Sequence, residues 1–379
     1  MSKINLLHIL SSLQIGGAEK QVVTLLKYLD KKKYRVILCC FHADGPLQKE
    51  IENEAVEIII LRMRLRYIFF ALYKLIRLMK KEKIQIVHTH LYFDHLWGRI
   101  AARIAGVPVI MTTEHGRGMW KKRRHLFFEH IANRFTDMRI AVSEDIRQIR
   151  IQRELSTPEQ VITIPNAINE DDFIVSDYVR SDKRKELGIN RDDLVIGTVA
   201  RFDPDKALDK LLEAAALVVK SIENVKIILV GNGPLRNNLE DHAARLRIAD
   251  KVVFTGARTD IAELLSIMDV FVISSIREGI PVSLLEAMAA ERAVVATNVG
   301  GNAEVINDES CGLIVEPNDT AALARGIISL LNDKALRERV GLKARLRIKE
   351  HFSVKSQVRK IESLYERILM SKLKSRKDK

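Results

Sequence analysis

Two glutamates, Glu278 and Glu286, stand eight positions apart in the stretch EGIPVSLLE, with no charged residue between them. The apolar run VFVIS before them is typical of a buried strand, Gly279 permits a tight turn, and Pro281 suits the first turn of a helix. Carboxylates accept hydrogen bonds from hydroxyls, and the free peptide N–H groups at a helix start attract an anion. The stretch therefore predicts a ligand that carries both hydroxyl groups and a diphosphate.

Other chemistry is open to this pair of acids. They could be the acid and the nucleophile of a glycosidase, which need carboxyl groups about 5 to 9.5 Å apart. They could also be metal ligands, although no His or Asp lies at a supporting spacing. Without any chemistry, Glu278 would be a loop acid and Glu286 a half-buried helix residue. Neither chemical alternative explains the glycines and cations found nearby along the chain.

Two cations follow another strand-like run. Arg201 comes at the end of LVIGTVA, and Lys206 stands five residues further on, before a helical pattern. An arginine fork and a lysine point charge at the carboxyl end of a strand could neutralise a diphosphate. Ordinary exposed loop charges are the alternative, and this segment alone favours that alternative.

Glycine turns mark further strand ends. Gly16 and Gly17 lie in QIGGAE, where backbone N–H groups could approach a phosphate at the start of a helix. The segments VGNGP and FTG, at residues 230–234 and 254–256, provide two more such turns. None of these segments is the G-x-G-x-x-G fingerprint of dinucleotide-binding proteins, which lowers the expectation of a nicotinamide enzyme.

The elements that must position these residues alternate in a regular way. Short apolar runs alternate with longer amphipathic stretches, which predicts parallel sheets covered by helices. The first half contains seven such runs: INLLHIL, YRVILCC, VEIII, IQIVHTH, VPVIMTTEH, MRIAVSE and QVITIPN. The second half contains six: LVIGTVA, VKIILVG, KVVFTG, VFVISS, AVVATN and GLIVEP.

The fold class predicted from this alternation is α/β, with two doubly wound Rossmann-like domains facing a central cleft. We expect an N-terminal domain over 1–175, a second domain over 176–353, and a C-terminal segment 354–379 that packs back on the first domain and ends in a frayed basic tail. The carboxyl ends of the strands, where ligands bind in such sheets, should surround the cleft.

Charge is distributed unevenly over the 379 residues. The net charge is +13, and residues 1–170 hold 28 Lys and Arg against 17 Asp and Glu. The segments 62–83 and 117–128 mix basic with apolar residues, which is typical of an anionic membrane surface, although a solvated basic face explains it equally well. Nucleic acid is not expected, because no nucleic-acid-binding motif is present. Three cysteines without ligand spacing and no spanning apolar stretch predict a cytoplasmic protein.

Taken together, the motifs resemble a known family. GGAE, R-x4-K, VGNGP, FTG, EGIPVSLLEAMA, VVATNVGGNAEVI and GLIVEP, in this order, are similar to those of the retaining nucleotide-sugar glycosyltransferases of the GT-B fold. That group includes bacterial polysaccharide and phosphatidylinositol mannosyl- and glucosyltransferases. The resemblance covers nearly the whole chain and is most specific over 194–320.

The resemblance implies a role for each matching residue. Catalytic roles fall on His115 near the reacting sugar, Glu278 on its hydroxyls, and Arg201 with Lys206 on the diphosphate. Donor-binding roles fall on Gly16, Gly17, Arg258, Gly279, Ile280, Pro281, Val282 and Glu286, of which Glu286 holds the ribose and the backbone of Arg258 reads the base. The acceptor is expected near Tyr92, Asp94 and His95. From its residue type alone, His115 would be a satisfied histidine at a strand end.

The implied reaction moves a hexosyl group from a UDP- or GDP-linked donor to an acceptor hydroxyl of a lipid-linked or polysaccharide glycan, with retention at the anomeric carbon. The sequence offers no clear nucleophile, and by resemblance no cofactor and no metal is required. Two other classes stay open: a GT-B-like sugar-nucleotide epimerase or hydrolase, and a non-catalytic basic membrane-binding protein. The donor sugar, the linkage and the oligomeric state are not determined by the sequence.

Overall fold

A computed structural model describes residues 3–62, 68–119 and 121–377, without the side chains of residues 68, 93, 94, 376 and 377. The chain divides into two compact units. Unit 1 comprises residues 1–167 together with 354–379, and unit 2 comprises residues 168–353. The sequence placed the first boundary at residue 175, so the structure moves it eight residues towards the N-terminus.

Unit 1 is built on one seven-stranded parallel sheet with the order β3-β2-β1-β4-β5-β6-β7. Its strands are β1 Ile4–Ser12, β2 Tyr34–Ala43, β3 Val56–Ile60, β4 Ile86–His90, β5 Val109–Glu114, β6 Met138–Ala141 and β7 Val161–Thr163. Its helices are α1 Gly17–Tyr28, α2 Ile68–Lys81, α3 Tyr92–Ala105, α4 Arg123–Asn133, α5 Glu144–Glu154 and, from the C-terminal segment, α14 Val354–Lys377.

Unit 2 is built on a six-stranded parallel sheet with the order β10-β9-β8-β11-β12-β13. Its strands are β8 Leu194–Val199, β9 Val225–Val230, β10 Val252–Gly256, β11 Val270–Ile273, β12 Ala293–Thr297 and β13 Leu313–Val315. Its helices are α6 Asp177–Glu186, α7 Leu208–Ser221, α8 Arg236–Arg245, α9 Ile261–Ser266, α10 Val282–Ala289, α11 Asn302–Val305, α12 Thr320–Asn332 and α13 Lys334–His351.

Both sheets follow from the same physical cause. Their central strands are apolar on both faces because helices cover both sides, so β11 and β12 are buried at every position. In each sheet the strand order reverses once, between β1 and β4 in unit 1 and between β8 and β11 in unit 2. Ligands of doubly wound sheets bind beside such a reversal. The predicted α/β class with two Rossmann-like domains is confirmed.

Several local predictions are wrong. The amphipathic stretch after β2, which the predicted alternation of strands and helices would make helical, forms only a 3₁₀ turn at Pro46–Glu50 before the chain turns into β3. The polar run after residue 176 contains α6, whose first turn is capped by the Ser176 hydroxyl. The basic tail, expected to fray, continues α14 as far as Lys377.

The C-terminal helix α14 contributes to the core of unit 1. Val358, Ile361 and Tyr365 lie on its buried face, in the same apolar cluster as residues of α1, β1 and β2. No helix in the described part of the chain combines the length and apolar composition that a membrane span requires.

Candidate functional site

The side chains of Lys206 and Glu278 meet in unit 2. The Lys206 ammonium lies 2.7 Å from Glu278 Oε1, and the Ser275 hydroxyl donates to the same oxygen at 2.6 Å. Lys206 follows β8 and Glu278 follows β11, so the pair stands at the reversal of the strand order. Glu278 Oε2 has no hydrogen-bond partner among the described residues, so it can accept a bond from a ligand.

Backbone contacts hold the two loops in register. The Ser274 hydroxyl donates to the Lys206 carbonyl at 2.9 Å, and the Ile276 N–H donates to the Asp205 carbonyl at 2.9 Å. Thr297, at the end of β12, donates its hydroxyl to the Ser275 carbonyl at 2.6 Å. These bonds connect the carboxyl ends of three neighbouring strands. The geometry of the ion pair is therefore imposed by the sheet.

A pair of glycines packs against the Glu278 loop from β12. The Gly301 N–H donates to the Gly279 carbonyl at 2.6 Å. At Gly300, φ is +55° and a Cβ atom would lie 2.3 Å from the Glu278 carbonyl oxygen. Only glycine combines this backbone conformation with this close approach. No role was predicted for Gly300 or Gly301, although a doubled glycine after a strand is a usable signal.

The start of α10 completes the site. Pro281 is the N-cap residue of α10 and not part of its first turn, and Val282 opens the helix. Ser283 in that turn lines a pocket together with Lys206, Ser275 and Glu278. The first N–H groups of a helix lack intrahelical partners and carry partial positive charge. The pocket thus combines a cation, a carboxylate and a helix N-terminus; Gly279 and Ile280 lie in the loop between Glu278 and the helix.

Three other predicted site residues of unit 2, one catalytic and two donor-binding, occupy separate positions. Glu286 is buried inside α10. The Arg201 guanidinium is largely exposed and pairs with Asp203 at 2.6 Å. Arg258 pairs with Asp260 at 2.5 Å and with Glu186 at 2.7 Å, beyond the edge strand β10. The structure brings Lys206 and Glu278 together and gives Arg201 and Arg258 carboxylate partners of their own.

In unit 1, His115 follows directly after β5 and is half-buried. Its Nε2 lies 3.3 Å from His90 Nδ1, at the end of β4. Burial lowers the pKa of His115 to about 4, although Glu114 opposes the shift. Burial also holds the pKa of His90 well below its ordinary value. Both imidazoles are therefore neutral at pH 7, so His115 can act as a hydrogen-bonding group but not as a cation.

The remaining predicted residues of unit 1 lie at two helix starts. Gly16 is the N-cap of α1 and Gly17 its first residue. Tyr92 opens α3, and the Lys121 ammonium stands 4.9 Å from its ring centroid. The predicted acceptor residue Asp94 lies in α3 with a side chain outside the described atoms. His95 is 1% exposed, and its Nδ1 pairs with the Thr89 hydroxyl at 2.8 Å, so the structure does not place it where an acceptor could contact it.

A buried cluster of seven charged side chains in unit 1 was not predicted from the sequence. Arg139 bonds both Glu114 and Glu154 at 2.6 Å, and Arg99 bonds Glu129 at 2.6 Å. Each of the seven side chains is at most 4% exposed; they are Arg99, Glu114, Lys121, Glu129, Arg139, Arg150 and Glu154. Lys121, taken from sequence as part of a basic outer face, is thus an interior residue. No local pattern identified the cluster, because its members come from β5, β6, α3, α4, α5 and the loop before α4.

The Arg150 guanidinium of this cluster donates to the Gly116 carbonyl, directly after His115. Burial alone would raise the pKa of the Glu114 carboxyl, but Arg139 and Arg150 outweigh it and hold the pKa below its ordinary value. Glu114 therefore stays ionised at neutral pH, and the Arg150 contact anchors the loop that carries His115.

Two doubly wound parallel sheets, with an ion pair and a helix start beside the strand reversal of the second, define the class of two-domain GT-B proteins. Two family models match most of the chain: Glycosyltransferase Family 4 over residues 15–172 and Glycosyl transferases group 1 over residues 179–347. An uncharacterized glycosyltransferase of Methanocaldococcus jannaschii is 30% identical, over 72% of each chain. The chain therefore belongs to the group 1 glycosyltransferases, which confirms the predicted family and enzyme class.

Other relatives match over almost the full length. The UDP-Gal:alpha-D-GlcNAc-diphosphoundecaprenol alpha-1,3-galactosyltransferase of Escherichia coli is 28% identical over 98% of this chain and 99% of its own. The capsular polysaccharide biosynthesis glycosyltransferase CapM of Staphylococcus aureus is 29% identical over 91% and 93%. Among solved structures, HepE of Anabaena in complex with UDP-glucose has a TM-score of 0.85 and 23% identity, over 95% of this chain and 99% of that one. These matches show the GT-B fold.

Proposed function

We propose that this glycosyltransferase moves a hexosyl group from a nucleoside diphosphate sugar to a hydroxyl of a lipid-linked or polysaccharide acceptor, with retention at the anomeric carbon. The observation that carries the donor part is the pairing of Lys206 with Glu278 at the start of α10. The acceptor part is supported by the relatives that act on a diphosphoundecaprenol-linked sugar or serve capsular polysaccharide biosynthesis.

The pair has the two properties that such a donor requires. Negative charge grows on the diphosphate as the sugar leaves, and Lys206, Arg201 and the N–H groups at the start of α10 supply positive charge for it. Glu278 keeps one carboxylate oxygen for sugar hydroxyls while Ser275 and Lys206 hold the other. Glu286 is assigned to the ribose and the backbone at Arg258 to the base.

Retention is proposed without an enzyme nucleophile. In this scheme the acceptor hydroxyl attacks from the side of the leaving group, the bond from the anomeric carbon to the phosphate oxygen breaks, and the acceptor proton passes to that oxygen. The positive charge that stabilises the leaving diphosphate is assigned to protein groups, so the proposal includes no metal and no cofactor.

The acceptor is proposed to meet the enzyme at an anionic membrane surface, on the cytoplasmic side. Helix α2 exposes Phe69, Phe70 and Tyr73 beside basic residues, while Leu75 and Met79 face the core. Helix α4 exposes Phe127 and Phe128 in the same way. Aromatic side chains insert shallowly into the interface while Lys and Arg attract anionic lipid head groups.

The test of the donor proposal is thermal melting with UDP, GDP, ADP, CMP and NAD. A ligand at ~100 times its dissociation constant adds ~2.7 kcal/mol to the free energy of unfolding, which is a measurable rise in Tm. We expect a rise with one nucleoside diphosphate, lost in Lys206→Met. The matched control is Lys210→Met, because Lys210 pairs with Glu213 at 2.9 Å on α7 and does not line the pocket.

No rise with any nucleoside diphosphate, or a rise with NAD alone, would contradict the donor proposal. Analysis of the reaction products then distinguishes sugar transfer from hydrolysis and from epimerisation of the donor. Release of free sugar, or formation of an epimer in the absence of acceptor, would favour a hydrolase or an epimerase.

A further inference from the structure

An unbroken line of hydrogen bonds runs through the core of unit 1 from Thr113 to His115. The Thr113 hydroxyl lies 2.7 Å from His88 Nε2, and His88 Nδ1 lies 2.5 Å from the Tyr365 hydroxyl. That hydroxyl lies 3.4 Å from His8 Nε2, His8 Nδ1 lies 3.0 Å from His90 Nε2, and His90 Nδ1 lies 3.3 Å from His115 Nε2. We call this line, formed by Thr113, His88, Tyr365, His8, His90 and His115, the imidazole chain.

The imidazole chain lies at the strand reversal of the sheet in unit 1. His8 lies on β1 and His88 with His90 on β4, the two strands between which the order reverses. Tyr365 comes from α14, more than 270 residues away from His88 along the sequence. Its hydroxyl bridges His88 and His8, so one phenolic oxygen joins the two halves of the chain.

Ring orientation favours a hydrogen-bond chain over a metal centre. Ring nitrogens of His8, His88 and His90 lie within 4.8 Å of one another, which is compatible with a cation. However, His8 and His90 are stacked with an interplanar angle of 10°, and His88 and His90 with one of 30°. The lone pairs of imidazole nitrogens lie in the ring plane, so those of stacked rings lie in roughly parallel planes and do not converge on a common point. Each of the three rings already uses both nitrogens in the chain.

All four imidazoles are neutral. Burial lowers the pKa of His8 to about 3 and that of His115 to about 4, and it holds the pKa values of His88 and His90 well below the ordinary one. A neutral imidazole has one N–H donor and one acceptor nitrogen, and a phenol donates once. The buried Tyr365 hydroxyl keeps its own proton bonded only if it accepts from one histidine and donates to the other, because accepting from both would leave that proton unbonded. With this condition, the direction of one hydrogen bond sets all the others, and two arrangements of the imidazole chain remain.

The Thr113 end selects between these arrangements. Thr113 is buried, and its hydroxyl has one hydrogen-bond partner among the described residues, His88 Nε2. A buried hydroxyl that only accepted would leave its own proton unbonded, which costs free energy. With Thr113 as donor, Tyr365 donates to His8, His8 to His90, and His90 to His115 Nε2. His115 must then carry its proton on Nδ1.

We propose that the imidazole chain fixes His115 as the Nδ1–H tautomer and that Tyr365 and His8 are positioning residues of the transfer reaction. The first part does not depend on the reaction; the second rests on the proposed function and on the expectation, from the family resemblance, that His115 lies near the reacting sugar. His115 Nδ1 is buried without a hydrogen-bond partner among the described residues, and His115 lines a pocket with Thr113 and Asn166. An oxygen of a bound substrate would satisfy this donor, and the chain keeps the donor in place before the substrate arrives.

The test is ¹⁵N NMR of the protein with labelled histidine, which distinguishes protonated from unprotonated ring nitrogens. The His115 signals are assigned by their loss in His115→Gln. In the wild type we expect His115 Nδ1 to be protonated and Nε2 unprotonated. Tyr365→Phe removes the bridging hydroxyl and should move His115 to a mixture of both tautomers.

The matched control is Tyr34→Phe. Tyr34 is buried with its ring 5.9 Å from that of Tyr365, but its hydroxyl is outside the chain. This variant should leave the His115 signals unchanged. An unprotonated Nδ1 in the wild type, an unchanged tautomer in Tyr365→Phe, or displacement of all three His8, His88 and His90 signals by added Zn²⁺ would overturn the proposal.

Steady-state kinetics test the positioning role separately. Tyr365→Phe should lower kcat by roughly 10-fold or more at an unchanged donor KM, because a misplaced donor weakens transition-state contacts. Tyr34→Phe should keep the wild-type kcat. A tautomer change without a change in kcat would overturn the positioning role. Absence of nucleoside diphosphate binding would contradict the proposed function and leave the NMR result intact.

Discussion

Lys206 and Glu278 are 72 residues apart in sequence, yet their charged groups lie 2.7 Å from each other at the carboxyl ends of β8 and β11. Lys206 retains some exposure, with about a quarter of its side chain accessible, while Glu278 is 9% exposed. A partly exposed ion pair contributes little to the free energy of unfolding. Replacing either residue should therefore test the proposed donor role more than the stability of the fold.

Replacing the Glu278 carboxylate by the neutral amide in Glu278→Gln keeps its shape and removes its charge. We expect kcat/KM for the nucleotide-sugar donor to fall by about 10²-fold, because contacts to the sugar hydroxyls and the balance of charge around Lys206 are both lost. Initial rates with varied donor measure this. The control is Glu213→Gln, which neutralises the partner of Lys210 outside the pocket. Equal rates in both variants would contradict the role of Glu278.

Gly300→Ala should be far more damaging than Gly188→Ala. Both glycines have positive φ, +55° and +65°, so an added methyl group strains the backbone of each by ~1 to 2 kcal/mol. Open space surrounds Gly188, whereas a Cβ at Gly300 would lie 2.3 Å from the Glu278 carbonyl oxygen. Urea unfolding should show a loss of more than ~3 kcal/mol for Gly300→Ala and ~1 to 2 kcal/mol for Gly188→Ala. Similar losses for the two variants would mean that the Glu278 loop can shift to accommodate the added methyl group at little cost in free energy.

The free energy of unfolding should fall as the pH is lowered from about 6.5. Burial lowers the pKa values of His8, His88, His90, His95 and His115 in the folded protein. Below pH ~6.5 these histidines bind protons in the unfolded protein but stay neutral in the folded protein. Each of them therefore lowers the free energy of unfolding by up to ~1.4 kcal/mol for every pH unit.

The measurement is urea unfolding between pH 7.5 and 5, above the range in which the carboxylates titrate. His8→Asn should flatten the dependence by about one proton, or ~1.4 kcal/mol per pH unit, because His8 titrates only near pH 3 in the folded state. A dependence as steep as that of the wild type would contradict a neutral buried His8.

Arg139→Met should destabilise unit 1 by ~3 to 5 kcal/mol, because the buried Glu114 and Glu154 would each lose one of two guanidinium partners and keep only Arg150. Arg35→Met is the matched control. Arg35 also bridges two carboxylates, those of Glu57 and Glu82, but it is exposed, so its loss should cost ~0 to 1 kcal/mol. Equal losses in urea unfolding would show that the buried cluster has no greater stabilising effect than a surface pair.

The exposed aromatic residues of α2 predict membrane binding. The double variant Phe69→Ser/Phe70→Ser should reduce co-sedimentation with vesicles that contain an anionic lipid, and added salt should weaken wild-type binding. Ile174→Ser/Tyr178→Ser removes two comparably exposed apolar residues from unit 2 and should leave binding unchanged. Wild-type binding that survives the α2 substitutions would contradict the proposed surface.

Strand positions and fold class could be read from the sequence because both are local. The apolar runs of seven and six strands, and the glycine or proline that follows several of them, depend on neighbouring residues alone, and the structure confirms all thirteen strands. The approach of Lys206 to Glu278 was also predictable in outline, since the carboxyl ends of parallel strands meet at one edge of the sheet. Helices were less certain: α6 was missed in a polar run because its stability depends on packing and a serine cap.

Contacts between distant segments were decided by the tertiary structure alone. Tyr365 joins His88 to His8 only because α14 packs on the first sheet. Lys121 forms ion pairs in the interior only because α4 and α5 bring Glu129 and Glu154 beside it. In the sequence each of these residues is an ordinary tyrosine, histidine or lysine, without local periodicity to mark it. The sequence determined the two sheets and the residue types at their ends, and the packing of helices against those sheets decided which side chains meet.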